Sequence, residues 1–237
     1  MFSFNGNIVY MNISVIIPVL NEEGYIGKTI SSLNIGSDEE IIVVDGGSSD
    51  HTVSVASRYT DMVFVTRRGR GHQMHYGAER AGGRVLLFLH SDCILPENAF
   101  GKIREIMCDD NISAGAFDLR IDHPSFCFRV IEAGANIRSR ITSVPYGDQG
   151  MFMRKEVYQE IGGFSDIPIM EDIDIAGRLK KAGSIVFVRP EICTSPRRWL
   201  KEGMLYTTLR DWRLALSYSL FNVSPEKLIN NYKDVRK

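Results

Sequence analysis

Carboxylates follow three of the apolar runs in this 237-residue sequence. Glu22 comes shortly after the run that ends at Val19, Asp45 ends the run EIIVVD, and Asp92 follows RVLLFL. Ligands of an open α/β sheet bind at the carboxyl ends of its strands, so three carboxylates there indicate a binding site. Each one could instead cap the helix or turn that follows it, since Asp is a common turn residue.

Asp92 is the candidate ligand of a divalent cation. It follows His90 and Ser91 just beyond an apolar strand, and we expect its carboxylate to project into the crevice of the sheet. A hard cation on a diphosphate needs only one or two protein oxygens, because the phosphates supply the others. Zinc chemistry is not favoured, since His90 has no second histidine at ligand spacing.

A second acidic pair, Glu171 and Asp172, begins a predicted helix over residues 171–182. The helix dipole stabilises carboxylates at this end, which would explain them without any function. The preceding residues 167–170 are apolar, however, and the dipole does not account for that. An ionised carboxylate beside an apolar wall is a suitable general base for a sugar hydroxyl.

Three arginines lie in a glycine-containing loop, where they could neutralise a diphosphate or form a solvated basic loop: Arg67, Arg68 and Arg70. A dinucleotide fingerprint would need glycine where Met74 stands, and the sequence has no GxxxxGK[ST] motif. A Rossmann dehydrogenase is therefore poorly supported.

The elements that would position these residues alternate between strands and helices. Continuous apolar runs predict strands covered on both faces over residues 13–19, 40–45, 62–66 and 84–89. Helical patterns lie between them, and Asn21 is expected to cap the first helix. This alternation predicts an α/β fold with a mostly parallel sheet. In the second half we predict a half-exposed strand over 114–121 and a short strand over 185–188.

The C-terminal region is predicted to be an amphipathic helix over residues 199–221, followed by a helix that opens at Pro225. One face of the longer helix carries large apolar side chains: Leu205, Leu209, Trp212, Leu216 and Leu220. Such a face ordinarily packs on its own domain or on a second copy, and this is the expectation here. The alternative is contact with an anionic membrane surface.

Charge and composition exclude several classes of protein. The net charge of −1 argues against a general nucleic-acid binder, and a hydrophobic content of 44% against a disordered chain. Residues 189–237 carry a net charge of +5 and the preceding residues −6. Four cysteines without a CxxC pair suit a reducing cytoplasm. Because no signal peptide or membrane span is visible, we expect a cytoplasmic protein. If the protein contacts the inner face of the membrane, we expect the helical tail to make that contact.

Four segments occur in the order found in family-2 glycosyltransferases, which the sequence resembles: 13–22 (ISVIIPVLNE), 42–50 (IVVDGGSSD), 86–92 (LLFLHSD) and 170–172 (MED). Further segments are similar to one compact soluble prokaryotic subgroup: 71–74 (GHQM), 77–78 (GA), 146–150 (YGDQG) and 197–199 (RRW). The resemblance spans about residues 12–232. It implies an inverting enzyme of the Rossmann-like GT-A fold, with a mostly parallel sheet flanked by helices and a C-terminal helical tail.

The resemblance also implies roles for particular residues. Asp172 would be the general base with Glu171 beside it, and Asp92 and His90 would hold Mg²⁺ or Mn²⁺ on the donor diphosphate. The nucleotide-sugar contacts would be Pro18, Asn21, Glu22, Asp45, Arg70, Gln73, Ser91 and Asp92. The sequence departs from the family pattern at His90, in place of the first DXD carboxylate, and at Gly46, in place of the second Asp of a pair.

We therefore expect a GT-A domain over residues 1–198, with 1–11 as an appendage, and a helical tail over 199–237 packed on it. The expected function is metal-dependent, inverting transfer of a sugar from a nucleoside-diphosphate sugar to a hydroxyl of an unknown acceptor. A non-catalytic nucleotide-sugar binding protein is an alternative, which His90 in the metal motif keeps open. A sugar nucleotidyltransferase is a weaker alternative. Such an enzyme should have a glycine- and arginine-rich phosphate loop after the first strand, and in this sequence residues 18–22 (PVLNE) stand there instead.

Overall fold

The computed structural model describes residues 11–232, which form alternating strands and helices. The predicted appendage lies outside the described residues except for Met11, as do residues 233–237 of the predicted tail. The strands are β1 (Ile13–Val19), β2 (Glu39–Asp45), β3 (Val63–Val65), β4 (Val85–Phe88), β5 (Cys93–Ile94), β6 (Ile112–Ile121), β7 (Met151–Arg154) and β8 (Ser184–Thr194). The helices are α1 (Ile26–Ser32), α2 (Thr52–Ala56), α3 (Arg70–Arg80), α4 (Ala99–Met107), α5 (Phe126–Thr142), α6 (Lys155–Glu160), α7 (Glu171–Ala182), α8 (Arg197–Glu202), α9 (Met204–Phe221) and α10 (Pro225–Leu228).

The strands form one sheet in the order β3-β2-β1-β4-β7-β6-β8-β5. The first four strands pair in parallel, and β6 also pairs in parallel with β8. β7 runs antiparallel to both of its neighbours, and β5 runs antiparallel to β8. The α/β fold with a mostly parallel sheet is thus confirmed. Val19 lies beside Asp45 in the β1–β2 register, so these two strands end together, as the sequence argument required.

Two apolar layers cover the faces of the sheet. Ile13, Val15 and Ile17 of β1 pack into the layer that contains α1 and α4. Ile16 points to the opposite layer, which contains α3 and α7. Every residue of β1 is buried, which explains why its sequence is continuously apolar instead of alternating.

Three expectations about local structure were wrong. β6 is buried along almost its whole length, with Arg120 exposed, because it lies between β7 and β8 and has layers on both faces. β8 runs for 11 residues, well beyond the expected short strand. Asn21 does not cap α1, whose N-cap is Tyr25. Instead Asn21 has φ +53°, and its side-chain oxygen accepts a hydrogen bond from the Ser49 amide at 2.9 Å.

The single helix predicted over residues 199–221 is two helices in the structure, because Gly203 with φ +94° separates α8 from α9. The buried side of α9 carries Thr207, Arg210 and Leu214. Leu214 packs beside Ile169 in the loop before α7. None of the described helices is long and apolar enough to cross a membrane.

Packing of the apolar α9 face on its own domain, the first of the two expected arrangements, is wrong for the described residues, and packing on a second copy stays a prediction. The five large side chains of this face are all exposed: Leu205, Leu209, Trp212, Leu216 and Leu220. The orientation follows from Arg210, which turns inward and contacts Glu202 at 2.8 Å and Asp211 at 3.1 Å. Ion pairs, together with Leu214, therefore decide which side of this helix faces the domain.

Candidate active site

A cavity of about 220 Å³ lies at the carboxyl ends of β1 and β4. Its walls also include the loop before β7, the first turn of α7, and parts of α8 and α9. Seven of the predicted site residues line it: Pro18, Glu22, Arg70, His90, Ser91, Asp92 and Asp172. The other four predicted residues are not part of this lining: Asn21, Asp45, Gln73 and Glu171.

Arg197 joins two of the strand-end carboxylates. Its two terminal nitrogens donate to the carboxylate of Glu22 at 2.6 and 2.7 Å. Its Nε lies 3.0 Å from an oxygen of Asp92, and its guanidinium stacks 4.3 Å above the Tyr25 ring. Glu22 is only 2% exposed, so its charge is compensated mainly inside the protein. The arrangement puts a fixed positive charge between the ends of β1 and β4.

Asp172 lies in the first turn of α7, two residues after Met170, whose φ of +71° turns the chain into the helix. One carboxylate oxygen accepts the Gly147 amide at 3.0 Å, and the other accepts the Ile173 amide at 2.8 Å. Burial and, to a smaller extent, the neighbouring Glu171 carboxylate together raise the pKa of Asp172 to about 6, although Arg70 and the two amides oppose the shift. Asp172 is therefore ionised at neutral pH but can take up a proton readily.

Glu171 points away from the cavity and is buried. It forms an ion pair with Arg70, the first residue of α3, which is itself part of the cavity wall. This pair ties the start of α3 to the start of α7. The two segments can approach this closely because residue 71 is glycine: a Cβ at Gly71 would lie only 2.6 Å from the Ser165 carbonyl oxygen. Arg67 pairs instead with Asp166 on the exposed surface.

Asp148, in the YGDQG segment, also lines the cavity, although no role was predicted for it. Burial raises the pKa of Asp148 to about 6, with Arg138 opposing the shift and the carboxylates of Asp172 and Asp92 adding to it. Among the described residues, its buried Oδ1 has no hydrogen-bond partner. A carboxylate in this state is suited to bind a cation or a hydroxyl.

Gln149 fixes the loop that carries Asp148. Its side-chain oxygen accepts hydrogen bonds from the Tyr146 amide at 2.9 Å and the Ser139 hydroxyl at 2.8 Å. Its amide nitrogen donates to the Phe117 carbonyl at 3.2 Å. Gly150 has φ +59°, a conformation that favours glycine, and ends the turn before β7. The residues around Asp148 thus explain why the segment reads YGDQG.

Asp45 and Gln73 lie outside the cavity and are engaged with the backbone. One oxygen of Asp45 accepts the Gly47 and Ser48 amides, both at 2.8 Å. The Gln73 side-chain nitrogen donates to the Val19 carbonyl at 2.9 Å and to the Val44 carbonyl at 2.8 Å. Their predicted contacts with a donor stay predictions.

The Gly46 departure from the family pattern has a structural explanation. A Cβ added at Gly46 would lie 2.9 Å from the Gln73 side-chain oxygen. A side chain at this position would therefore displace the Gln73 amide, whose nitrogen bonds the Val19 and Val44 carbonyls.

His90 stands in the cavity wall with its ring against the backbone of Gly147. A Cβ at Gly147 would lie 2.7 Å from its Nε2, so His90 requires glycine at that position. Ser91 is buried, and its carbonyl accepts a hydrogen bond from the Thr29 hydroxyl at 2.6 Å. Within residues 11–232, no group of three or more His, Cys, Asp or Glu side chains is arranged to hold a metal by itself.

Curated relatives of this chain are glycosyltransferases. A glycosyltransferase of Haloferax volcanii, AglE, is 32% identical over 209 residues, which are 78% of this chain and 67% of that protein. An uncharacterized glycosyltransferase of Rickettsia conorii is 26% identical over 201 residues, which are 76% of this chain. That alignment spans 33% of the Rickettsia protein's own length.

The fold is that of the GT-A glycosyltransferases. The mannosyltransferase PcManGT of Pyrobaculum calidifontis superposes with a TM-score of 0.64 at 18% identity, covering 96% of this chain and 67% of that chain. The family model described as "Glycosyl transferase family 2" matches residues 14–162, more than half of the sequence. On the sequence match and the shared fold together, the chain belongs to glycosyl transferase family 2.

Proposed function

We propose that this protein transfers a sugar from a nucleoside-diphosphate sugar to an acceptor hydroxyl with inversion of the anomeric centre, and that Asp172 is the general base. The observation that carries the proposal is the position of Asp172 in the cavity wall. Its orientation is fixed by the amides of Gly147 and Ile173, and its pKa is raised to about 6. A base of this pKa is ionised at neutral pH and still accepts a proton from a hydroxyl in the transition state.

The residues at the strand ends would hold the donor on the other side of the cavity. Pro18, Glu22 and Ser91 line that side, with the guanidinium of Arg197 between Glu22 and Asp92. Two of its nitrogens already bond Glu22 and the third contacts Asp92, so Arg197 would offer a diphosphate its positive charge and its remaining N–H groups. We therefore place the donor diphosphate near Arg197 and the acceptor hydroxyl near Asp172. Attack from the side of Asp172 then displaces the diphosphate in one step, which inverts the anomeric centre.

A divalent cation fits the cavity if the donor supplies part of its coordination. Asp92 and Asp148 both line the cavity, and oxygen atoms are the ligands that Mg²⁺ and Mn²⁺ prefer. When bound, such a cation would stabilise the negative charge that grows on the leaving diphosphate. The Pyrobaculum mannosyltransferase is described in complex with GDP-Man and Mn²⁺, which supports a metal in this role. His90 as a ligand stays a prediction, since its ring packs against Gly147.

The Asp172→Asn variant tests the proposal. We expect it to lower kcat by about 10²–10⁴-fold, the usual contribution of a general base, while the Kd for the nucleotide stays near that of the wild type. Asp174→Asn is the matched control, because Asp174 lies in the same helical turn but pairs with Arg178 at 2.6 Å. Transfer would be assayed with a panel of nucleotide sugars, and NMR of the product would give its anomeric configuration. Wild-type turnover by Asp172→Asn, or retention of configuration, would contradict the proposal.

A further inference from the structure

The candidate active-site cavity has two sides of different character. The side at the strand ends carries charged groups, among them Glu22 and Asp92. The other side, which we call the helical side, consists mainly of apolar and aromatic side chains from α5, the loop before α7, α8 and α9. They include Ile131, Ala135, Ile169, Trp199, Trp212 and Ala215. A ligand that lies against the helical side would therefore meet mostly carbon atoms.

Two apolar clusters of the fold supply this side. Ile131, Ala135 and Trp199 belong to the cluster next to the end of β6. Ile169 and Ala215 belong to the cluster between α9 and the loop before α7. Ile131, Trp199 and Ala215 are only half-buried, so each can still lose contact with water when a ligand binds. That loss of water contact would favour an apolar ligand.

Polar groups of the helical side are bonded to one another. Arg198 pairs with Asp211 at 3.2 Å, and its guanidinium stacks 4.4 Å from the Tyr232 ring. The indole nitrogen of Trp199 donates to the Thr208 hydroxyl at 3.3 Å. A ligand rich in hydroxyl groups would have to compete for these partners or give up hydrogen bonds to water, which is unfavourable.

Asp172 connects the two sides of the cavity. Its carboxylate accepts the amide of Gly147 in the loop before β7. The next residue, Ile173, belongs to the same apolar cluster as Ile169 and as Leu214 of α9. The proposed general base therefore lies directly beside the helical side.

We propose that the acceptor is an alcohol with an apolar body, whose hydroxyl lies at Asp172 and whose body lies against the helical side. This inference rests on the proposed transfer reaction and names its acceptor class. In the transfer, the hydroxyl proton moves to the Asp172 carboxylate and the alcohol oxygen bonds to the anomeric carbon. The bond from that carbon to the diphosphate breaks, and its electron pair stays on the diphosphate.

Intrinsic fluorescence tests the acceptor class with the full chain, because both of its tryptophans, Trp199 and Trp212, line the cavity. The probes are ethanol, 1-butanol, 1-hexanol and 1-octanol, and sorbitol is the hydroxyl-rich counterpart of 1-hexanol. We expect the Kd to fall about fourfold with each added methylene, as burial of apolar surface predicts. Sorbitol should bind more weakly than 1-hexanol, which has a carbon chain of the same length.

Two variants of the helical side should weaken this binding. Ile131→Ser and Trp212→Ser should each raise the Kd for 1-octanol about tenfold, because each removes a large apolar contact. Ile137→Ser and Leu220→Ser are the matched controls, since both residues are exposed, lie on the same two helices and do not line the cavity. The controls should bind 1-octanol like the wild type. Melting curves verify that every variant is folded.

Transfer itself gives a second readout. With a donor that the protein turns over, kcat/KM for the alcohols should rise in the same order as their affinity. Turnover of Asp172→Asn tests the proposed reaction, whereas the alcohol series tests the acceptor class, so the two can fail separately.

Three results would overturn the acceptor class. The first is a Kd or a kcat/KM that does not change with chain length. The second is binding of 1-octanol by Ile131→Ser and Trp212→Ser that equals binding by their controls. The third is tighter binding of sorbitol than of 1-hexanol, which would assign the helical side to a hydroxyl-rich acceptor instead.

Discussion

Arg197 and Glu22 form a two-bond ion pair between residues that are 175 positions apart in the sequence. Glu22 follows the first strand, whereas Arg197 begins the helix after the last one. Their contact closes the cavity on one side and joins the C-terminal helices to the strand ends. The candidate active site is thus built from segments that lie far apart in the sequence.

We expect Arg197→Met to lower the free energy of unfolding by about 2–3 kcal/mol. Breaking a fully buried ion pair costs about 3–5 kcal/mol, and water reaches Arg197 enough to reduce that value. Urea denaturation would measure the loss. Combining the change with Glu22→Gln should recover at least about 1 kcal/mol, because the two residues interact directly. If Arg197→Met lowered the free energy of unfolding equally in the wild type and in Glu22→Gln, the pair would not stabilise the fold.

Asp148→Asn should stabilise the protein at pH 7, by about 1–2 kcal/mol, because the raised pKa of Asp148 means that its charge is unfavourable in the folded state. The pKa of Asp148 in the folded state, about 6, lies above its ordinary value of 3.8. The protonated carboxyl group therefore favours folding below about pH 4, and this contribution is lost as the pH rises through about 6. The advantage of the Asn variant should therefore shrink from pH 7 toward about pH 4, as measured by denaturation at several pH values.

Asp118→Asn is the control for that experiment. Asp118 is also a buried carboxylate, but Arg140 at 2.8 Å and Arg189 at 2.9 Å compensate its charge. Its replacement should destabilise the fold. If Asp148→Asn also destabilised the protein at pH 7, the unfavourable environment described for Asp148 would be refuted.

The transfer rate should rise with pH through about 6 and then level off. Asp172 must be ionised to accept a proton, and its pKa is raised to about 6 by burial and by the Glu171 carboxylate. The measurement is kcat/KM between about pH 5 and about pH 9. Glu171→Gln should move the rising limb to lower pH, since it removes the carboxylate that raises the pKa of Asp172. If the rising limb of the pH profile were unchanged in Glu171→Gln, a group other than Asp172 would control the rate.

Asp92→Ala should abolish the dependence of donor binding on metal. A thermal-shift screen of UDP, GDP, CDP, dTDP and ADP, each with and without Mn²⁺, would first identify the nucleotide; binding at 100 times its Kd stabilises by about 2.7 kcal/mol. With that nucleotide, we expect Mn²⁺ to lower the Kd for the wild type and to have little effect for Asp92→Ala. Asp61→Ala, at an exposed loop position, is the control. An unchanged effect of Mn²⁺ on the variant would exclude Asp92 as a ligand.

The sequence allowed the parallel half of the sheet and its strand-end carboxylates to be predicted. A buried strand such as β1 has to be apolar throughout, and parallel strands must end at a common edge, so Glu22 and Asp92 could be placed near each other without coordinates. Asp148 could not be assigned, because its role depends on a loop that Gln149 ties to distant backbone groups. Arg197 belongs to the RRW segment, but its contact with Glu22 is a tertiary one that no local pattern reveals.

The orientation of α9 shows the same limit in another form. Helical periodicity correctly grouped Leu205, Leu209 and Leu216 on one face, but it could not decide whether that face points inward. The direction of the helix is determined by Arg210 and its two ion pairs. A buried arginine is an exception to the general rule that the apolar face of a helix turns toward the core. Periodicity therefore identifies a face, and the charged partners of the opposite face determine its direction.

The long sequence separation of Glu22 and Arg197 has a consequence for synthesis on the ribosome. Domains form as the chain emerges, and β1, β2 and β4 can pair well before α8 has been made. During that interval the strand ends lack the guanidinium that joins Glu22 to Asp92, and the cavity lacks its walls from α8 and α9. Nascent chains would therefore reach a sheet-containing state before they can hold a ligand, and competence for binding would arise only after α8 and α9 have been made.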